Sequence, residues 1–274
     1  MAIKFVDRVP TRPGRIKITP EDGSPVWYGV MERADEPAVE GTPINAANLN
    51  AMQQNQGLSS DLTVYVATSG SDRVGDGTSS APYATISKAL SVIPKQLNGY
   101  LATIYILAGT YNENVVIHGF NGTIALSGVV GESITITAMR VSDTESLRTQ
   151  NIAVNVIGAI DGIGVGITNS MFFAGEVVNI SGSYKSGLYV NRDSTVQMNR
   201  LNVSNTTETA VVSNGCSTVF VGVLGGTNNS GMGAYSLNMS LLGFTSNSMT
   251  ATTKYAVANG GRIYSGAQTS IPNY

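Results

Sequence analysis

Few side chains of this 274-residue chain could carry out chemistry, and the rarest are one histidine and one cysteine. His118 and Cys216 could form a base-and-nucleophile pair on paper, but nothing in the sequence places them together. A single cysteine excludes an intrachain disulfide framework and a cysteine-rich metal site. We interpret His118, which precedes Gly119, as a surface turn residue, and Cys216 as a small residue at a turn.

Two aspartates in glycine-rich loops are the candidates for a cation site. Asp72 and Asp76 lie in the segments Gly70-Ser71-Asp72 and Gly75-Asp76-Gly77-Thr78. Ca²⁺ takes about six to eight oxygen ligands, so backbone carbonyls would have to complete the shell. Aspartates in such loops commonly bond the backbone of their own turn. The sequence therefore predicts turn capping and no metal.

Glycosidase or lyase chemistry would need two carboxylates, or a carboxylate and a base, within about 5–10 Å of each other. The acids of residues 151–274 are Asp161, Glu176, Asp193 and Glu208. Whether any two of them meet depends on the elements that carry them.

A repeat of about 22 residues runs through that part of the chain. Its apolar columns advance in steps of 21 to 24 residues: Phe173, Val196, Val219, Leu241, Ile263; Ile167, Tyr189, Val211, Tyr235, Ala256; and Val156, Ile180, Val203, Leu224. Short strands stacked turn on turn satisfy every backbone group except at the two ends. The pattern predicts an all-β parallel β-helix over residues 61–265. Positions 136–165 fit poorly and predict an enlarged loop near 143–150.

The first strand edge of such a helix would be open to aggregation without a cover. After Pro82, the residues Ile86, Ala89, Leu90 and Ile93 follow helical spacing. We therefore predict an N-terminal capping helix near residues 83–93.

Placed on the repeat, the acids stay apart. No two share a column: Asp161 falls near Gly182, Glu176 at Asn199, Asp193 at Cys216 and Glu208 at Ser186. Arg192-Asp193 has no acidic partner one turn away, so we interpret it as a solvated turn pair. The sequence predicts no catalytic residue, no cofactor and no metal.

Tyrosines could supply a surface that stacks against sugars. The candidates are Tyr184, Tyr189, Tyr235, Tyr255 and Tyr264. Tyr189 and Tyr235 share a column with aliphatic residues, so we predict that these two lie in the core.

Residues 1–60 are of another kind, with 13 charged residues against nine in 151–274. Ile16-Lys17-Ile18, a turn at 21–24 and Trp27-Tyr28-Gly29-Val30 predict a hairpin over 15–31. Thr42-Pro43 begins a helix whose apolar stripe could pack on copies of itself: Ile44, Ala47, Ala51 and Met52. The predicted organisation is a segment 1–60, the β-helix 61–265 and a tail 266–274.

Charge and hydropathy exclude other classes. The net charge is −2 and charged residues make up only 12%, which argues against a nucleic-acid partner because such binders carry a basic face. No apolar run reaches about 18 residues, so no membrane insertion is expected. The N-terminus lacks a signal-peptide pattern, and we expect synthesis in a bacterial cytoplasm without a signal peptide.

The start of the β-helix resembles a known family. Tyr65-Val66, Gly70-Ser71-Asp72, Pro82-Tyr83 and Ala89-Leu90 resemble the opening motif of pectate-lyase-like right-handed β-helix proteins, and residues 104–111 resemble their first turn and that of pectin methylesterases. The resemblance covers roughly residues 62–265 and implies a right-handed β-helix. This superfold hosts lyases, hydrolases, esterases and inert shafts. The paired aspartates and arginine of the methylesterases have no counterpart here.

A second resemblance concerns the N-terminal segment. Residues 14–20, 31–37 and 40–50 resemble the attachment segment of tail-fibre and baseplate proteins of phages and phage-tail-like particles. Such proteins are typically homotrimers on a virion, with an N-terminal anchor and a distal part that binds receptors or degrades polysaccharide.

The two resemblances together predict a structural, non-enzymatic tail-fibre or baseplate-fibre subunit, located in the virion. It would attach to tail or baseplate proteins through its N-terminus and present the β-helix, with a host cell-surface glycan as a candidate ligand. Candidate attachment residues are Arg12, Arg15, Trp27, Tyr28 and Met31; Ile44, Ala47, Ala51 and Met52 would meet other copies in a homotrimer. The alternatives are a polysaccharide depolymerase with a site between protomers, or an adaptor for a separate fibre protein.

Overall fold

The computed structural model of the protein describes residues 57–182 and 184–266, together with the strands at 15–18, 27–30 and 269–270. The chain divides into two compact units, Met1–Gln56 and Gly57–Tyr274.

In the first unit, β1 (Arg15–Ile18) and β2 (Trp27–Val30) pair antiparallel. Arg15 lies opposite Val30 and Ile18 opposite Trp27. The predicted helix near 44–52 lies outside the described residues, with Ile44, Ala47, Ala51 and Met52. Arg12 and Met31 also lie outside them, as do the side chains of Arg15, Trp27 and Tyr28.

The second unit is a parallel β-helix of about 7 turns, with ~23 residues per turn. Its strands are β3 (Leu62–Val66), β4 (Gln96–Ile106), β5 (Gly109–His118), β6 (Asn121–Ser127), β7 (Ser133–Ser142), β8 (Ser146–Gln150), β9 (Ala153–Val156), β10 (Ile163–Thr168), β11 (Met171–Ile180), β12 (Tyr184–Asn191), β13 (Thr195–Val203), β14 (Thr206–Ser213), β15 (Thr218–Gly225), β16 (Asn229–Leu237), β17 (Leu241–Asn247), β18 (Ala251–Ala258), β19 (Arg262–Ser265) and β20 (Thr269–Ser270). From β3 to β19 the described pairs are parallel, and β20 pairs antiparallel with β19. The prediction of an all-β parallel β-helix is confirmed.

The register corrects the first predicted column by one residue at two of its positions. The buried column is Phe172, Val196, Val219, Leu242 and Ile263, so neither Phe173 nor Leu241 belongs to it. Leu241 is 37% exposed. The slip arises because neighbouring residues of a strand face opposite sides of the sheet, so an error of one residue exchanges inside for outside.

The third predicted column holds only in part. Val156, Ile180 and Val203 are in register, whereas Leu224 lies beside Leu201, two residues earlier in its turn. Apolar side chains occur at both inward positions of this strand, so spacing alone does not tell them apart.

The enlarged loop predicted near 143–150 is wrong, because Ser146–Gln150 is β8 and belongs to the stack. Leu147 of this strand is fully buried between Ile124 and Phe172. The sequence Ser-Leu-Arg-Thr-Gln contains only one large apolar residue, so the alternation of apolar residues that marks a strand is missing there.

One helix is described, α1 (Ile86–Val92), within the predicted range 83–93. The Thr85 hydroxyl caps its first turn by accepting a hydrogen bond from the Lys88 backbone N–H at 3.0 Å. Ile86, Ala89 and Leu90 are buried in the same apolar core as the first strands, and α1 contacts β3, β4 and β5.

A column of buried serines closes one set of turns. Ser170, Ser194 and Ser217 each donate their backbone N–H to the serine hydroxyl one turn further along, at 3.3, 3.2 and 3.1 Å. The last acceptor is Ser240. Buried backbone donors need partners, and one hydroxyl per turn supplies them where the strands end.

Two buried hydroxyls in the described residues lack such a partner, those of Ser146 and Thr149, and removal of the second should stabilise the fold. Thr149 is 2% exposed, and its Oγ1 has no hydrogen bond in the described residues. We expect Thr149→Val to raise the free energy of unfolding by about 1 kcal/mol, because an unpaired buried hydroxyl is costly. Denaturant unfolding monitored by circular dichroism measures the change.

The same substitution elsewhere provides the control. Thr206 is equally buried, and its hydroxyl lies 2.7 Å from Asn229 Oδ1, to which it donates. Thr206→Val should destabilise the protein, since it removes this hydrogen bond and leaves Asn229 Oδ1 with only the Thr206 backbone N–H as a donor. Equal changes in the free energy of unfolding would contradict the prediction that the Thr206 hydroxyl is hydrogen-bonded and the Thr149 hydroxyl is not.

Candidate functional site

The outer surface is indented where β12, β14 and β16 bend. At the bend two consecutive residues of each strand face inward. Leu188 is fully buried, and a Cβ at the preceding Gly187 would come within 2.2 Å of Val203 Cγ1. The positions in register with Gly187 are Ala210 and Gly233. Small side chains at this row allow the strands to bend around the core.

Two outward rows flank this bend and form a groove, which we call the corner groove. One row is Ser186, Thr209, Met232 and Thr253, and the other is Tyr189, Val212, Tyr235 and Ala256. The corner groove has a volume of about 540 Å³, and all these residues except Ala256 line it. It combines hydroxyl groups with apolar and aromatic surface, as small-ligand sites commonly do.

The prediction that Tyr189 and Tyr235 lie in the core is wrong. Both face the corner groove and are partly exposed, since their row lies one residue after the buried row of Leu188, Val211 and Ala234. The predicted column mixes these two rows, because it places Val211 with the tyrosines.

A ladder of asparagines holds the first tyrosine in place. Asn214 Nδ2 donates to the Tyr189 hydroxyl at 3.1 Å. Asn238 in turn donates to Asn214 Oδ1 at 2.7 Å, and Asn259 to Asn238 Oδ1 at 3.0 Å. The ladder spans three turns, so the ring of Tyr189 is positioned before any ligand arrives.

The other candidate tyrosines lie elsewhere. Tyr184 is buried, its hydroxyl donates to the Val156 carbonyl at 2.7 Å, and burial raises its pKa. Tyr255 stacks on Phe244 with ring centroids 5.5 Å apart. Tyr264 lies on a different strand stack, in register with Gly243. Only Tyr189 and Tyr235 among the five candidates therefore share a surface groove.

The acids remain apart, as the repeat predicts. Glu208 is the one charged residue among the described residues that line the corner groove. Thr209, the residue after Glu208, is in register with Ser186. Glu208 therefore lies one position before Ser186, whereas the repeat places it at Ser186. Asp193 falls at the position of Cys216, in agreement with the prediction. None of Asp161, Glu176, Asp193 and Glu208 contacts another of the four.

The acidic residues of the first turns hold the start of α1. Asp72 accepts hydrogen bonds from the backbone N–H groups of Ala84 and Thr85, at 2.8 and 3.1 Å, and from the Thr85 hydroxyl at 2.7 Å. Glu113 accepts from the backbone N–H groups of Ile86 and Ser87, at 2.7 and 2.9 Å. No spacing in the sequence indicates this role of Glu113, because it lies 26 to 27 residues from its partners.

Asp76 stays within its own loop. Hydrogen bonds from the Thr78 backbone and hydroxyl lower the pKa of Asp76. The predicted turn capping is therefore confirmed for Asp76, whereas Asp72 bonds the segment before α1, 12 to 13 residues away, and not its own turn. No group of three or more histidine, cysteine, aspartate or glutamate side chains suited to a metal ion occurs within the described ranges.

His118 and Cys216 are not brought together. The register leads from His118 through Ser142, Thr168 and Asn191 to the turn of Cys216, so four strand spacings, roughly 19 Å, separate them. His118 Nδ1 lies 2.9 Å from Ser142 Oγ and 3.5 Å from Asp143 Oδ2. A catalytic relay uses both ring nitrogens, whereas here one nitrogen faces both partners.

The fold and the corner groove define the class: a parallel β-solenoid protein with a tyrosine-flanked groove on its outer surface. Comparison with protein-family models, curated proteins and solved structures gives no match to this chain. In the part of the chain that the structure describes, no helix has the length and apolar character needed to cross a bilayer.

The lone carboxylate of the corner groove leads to a prediction about catalysis. Glycoside hydrolysis needs a second carboxyl group near the first, and the described lining offers only Glu208. We expect no release of reducing ends or unsaturated products from pectins, capsular polysaccharides or teichoic acids. Product formation that Glu208→Ala or Asp193→Ala abolishes would contradict this expectation.

Proposed function

We propose that the chain is a structural tail-fibre or baseplate-fibre subunit of a phage or phage-tail-like particle. It attaches through residues 1–60 and presents its β-helix to glycans of the host cell surface. The observation that carries the proposal is the corner groove, in which two partly exposed tyrosines lie beside threonine side chains on an otherwise sparsely charged helix.

The geometry of the corner groove suits an extended sugar chain. Tyr189 and Tyr235 lie two turns apart in the same row, a separation of roughly 9–10 Å at the spacing of neighbouring strands. The rings offer apolar faces to sugar rings. The exposed Thr253 offers a hydroxyl group for hydrogen bonds, and the Thr252 hydroxyl, which donates to the Ser230 carbonyl, can still accept one. A glycan lying along the helix axis would contact both rings.

Composition supports attachment at the N-terminus. The first 60 residues carry 13 charges and few periodic apolar residues, a pattern typical of segments that gain order from a partner. Arg12, Arg15, Trp27, Tyr28 and Met31 are of the types that anchor protein interfaces. The apolar stripe Ile44, Ala47, Ala51 and Met52 would join three copies as a homotrimer in the virion.

Glu208 keeps one alternative open. A polysaccharide depolymerase would need a second carboxylate beside it, supplied by another protomer of the trimer. The adaptor alternative, in which a separate fibre protein attaches to this chain, has no specific observation in its favour.

Binding to a panel of bacterial surface polysaccharides tests whether the corner groove is a glycan site. We expect Tyr189→Ala and Tyr235→Ala each to weaken binding by about two- to tenfold, because each removes one stacking face of roughly 0.5–1.5 kcal/mol. Tyr105→Ala is the matched control, since Tyr105 is a partly exposed tyrosine near the other end of the helix. An equal loss in all three variants, or binding that none of them affects, would refute the groove as the glycan site.

Truncation tests the proposed attachment through residues 1–60. Deleting residues 1–58 should leave a soluble, β-rich domain that no longer joins the particle, while Trp27→Ala should weaken incorporation without changing that domain. Immunoblots of purified particles measure incorporation. Truncated protein found on particles would show that attachment uses the β-helix or residues 265–274 instead.

A further inference from the structure

A second groove lies on β4, β6 and the start of β8, away from the corner groove. We call it the bulge groove. Its lining includes Gln96, Tyr100, Asn121, Glu145 and Arg148. None of these residues contributes to the attachment or to the corner groove of the proposed function, so the bulge groove needs its own explanation.

An insertion in β4 creates the bulge groove. Gln96 pairs with Asn121 and Leu101 with Thr123, so four residues of β4 stand against Gly122 alone. Leu97 is fully buried there, and a Cβ at Gly122 would come within 2.7 Å of Leu97 Cβ. The bulge is thus built into the core at its base. Bulges of this kind redirect side chains and occur often beside functional sites.

The outer part of the bulge is also held. Asn98 adopts a positive φ of 53°, and its Nδ2 donates to the Leu58 carbonyl at 2.9 Å. Tyr100 remains 39% exposed at the edge of the bulge groove. An aromatic face is therefore presented by backbone that the core and Leu58 restrain.

Two opposite charges line the bulge groove without pairing. Glu145 and Arg148 are exposed, and within the described residues neither side chain forms an ion pair or hydrogen bond. Unpaired surface charges are common, so this observation alone would not indicate a ligand.

The setting of these two charges is what points to a ligand. Glu145 and Arg148 share one concave surface with Tyr100, Gln96 and Asn121, so an aromatic face and two amide groups stand beside both charges. Polar groups that converge beside an aromatic side chain are common in small-ligand sites.

We propose that the bulge groove binds an amino sugar that also carries a carboxylate. The Arg148 guanidinium suits the carboxylate in a two-pronged hydrogen bond, and Glu145 suits the ammonium group. Gln96 and Asn121, which are register partners, serve the sugar hydroxyls, and Tyr100 covers an apolar face of the ring. A ligand with both charges matches this lining better than a neutral, purely acidic or purely basic sugar.

Four probe sugars separate the two charges. Isothermal titration of the full chain compares muramic acid, which has both groups, with glucosamine, glucuronic acid and glucose. We expect muramic acid to bind about five- to tenfold more tightly than either singly charged sugar, and glucose to bind most weakly. Equal binding of all four, tighter binding of a singly charged sugar, or no binding of any at millimolar concentration would overturn the proposal.

Two charge-neutralising variants assign the partners. Arg148→Gln should bring muramic acid to the affinity of glucosamine, and Glu145→Gln should bring it to that of glucuronic acid. Arg73→Gln and Glu132→Gln are the controls, as both residues are exposed and line neither groove. If either variant weakened the binding of all four sugars equally, whatever their charge, the assignment of Arg148 to the carboxylate and of Glu145 to the ammonium group would be overturned. These variants leave Tyr189, Tyr235 and residues 1–58 intact, so failure here is distinct from failure of the proposed fibre function.

Discussion

Hydrogen bonding between successive turns of one chain is the constraint on which the rest of the structure depends. Strands inside the stack pair with a strand of the turn before and a strand of the turn after, as β13 does with β11 and β15. A turn is therefore stable only when its neighbours keep the same register. The repeat of ~23 residues expresses this requirement. The side chains then do two things: they fill the interior with one apolar row per inward position, and they close the turns. The serine column from Ser170 to Ser240 accomplishes the second, with one buried hydroxyl per turn.

The same constraint explains where grooves can occur. A regular parallel stack has a smooth outer surface, and concavity needs a departure from regularity. The corner groove arises where Gly187, Ala210 and Gly233 let two consecutive residues face inward. The bulge groove arises where extra residues of β4 stand against Gly122. In both places a glycine fits where a Cβ would collide with a core side chain, so the shape of the outer surface depends on packing within the core.

Two kinds of charged group stand out among the described residues. Asp72 and Glu113 accept several backbone hydrogen bonds and hold the beginning of α1 against the first strands. Glu145, Arg148 and Glu208 lie exposed in grooves. The first kind contributes to stability through hydrogen bonds to charged groups, each worth about 1.5–3 kcal/mol. The second contributes little to stability, and the two binding proposals rest on the grooves in which these residues lie.

The sequence by itself determined the class of fold, the helix near 83–93 and the separation of the acids, because the first two follow from local periodicity and the third needs only an approximate register. It also predicted that Asp76 caps its own turn, but not that Asp72 holds the start of α1. Only the tertiary structure decided which face of each strand is buried. Tyr189 and Tyr235 moved from the predicted core to a surface groove because a shift of one residue inverts a strand, and two inward residues at the bend break the alternation on which spacing arguments rely. Strand β8, the contact of Glu113 with α1 and the bulge groove depend on pairing between residues about 20 or more positions apart, which no local pattern in the sequence records.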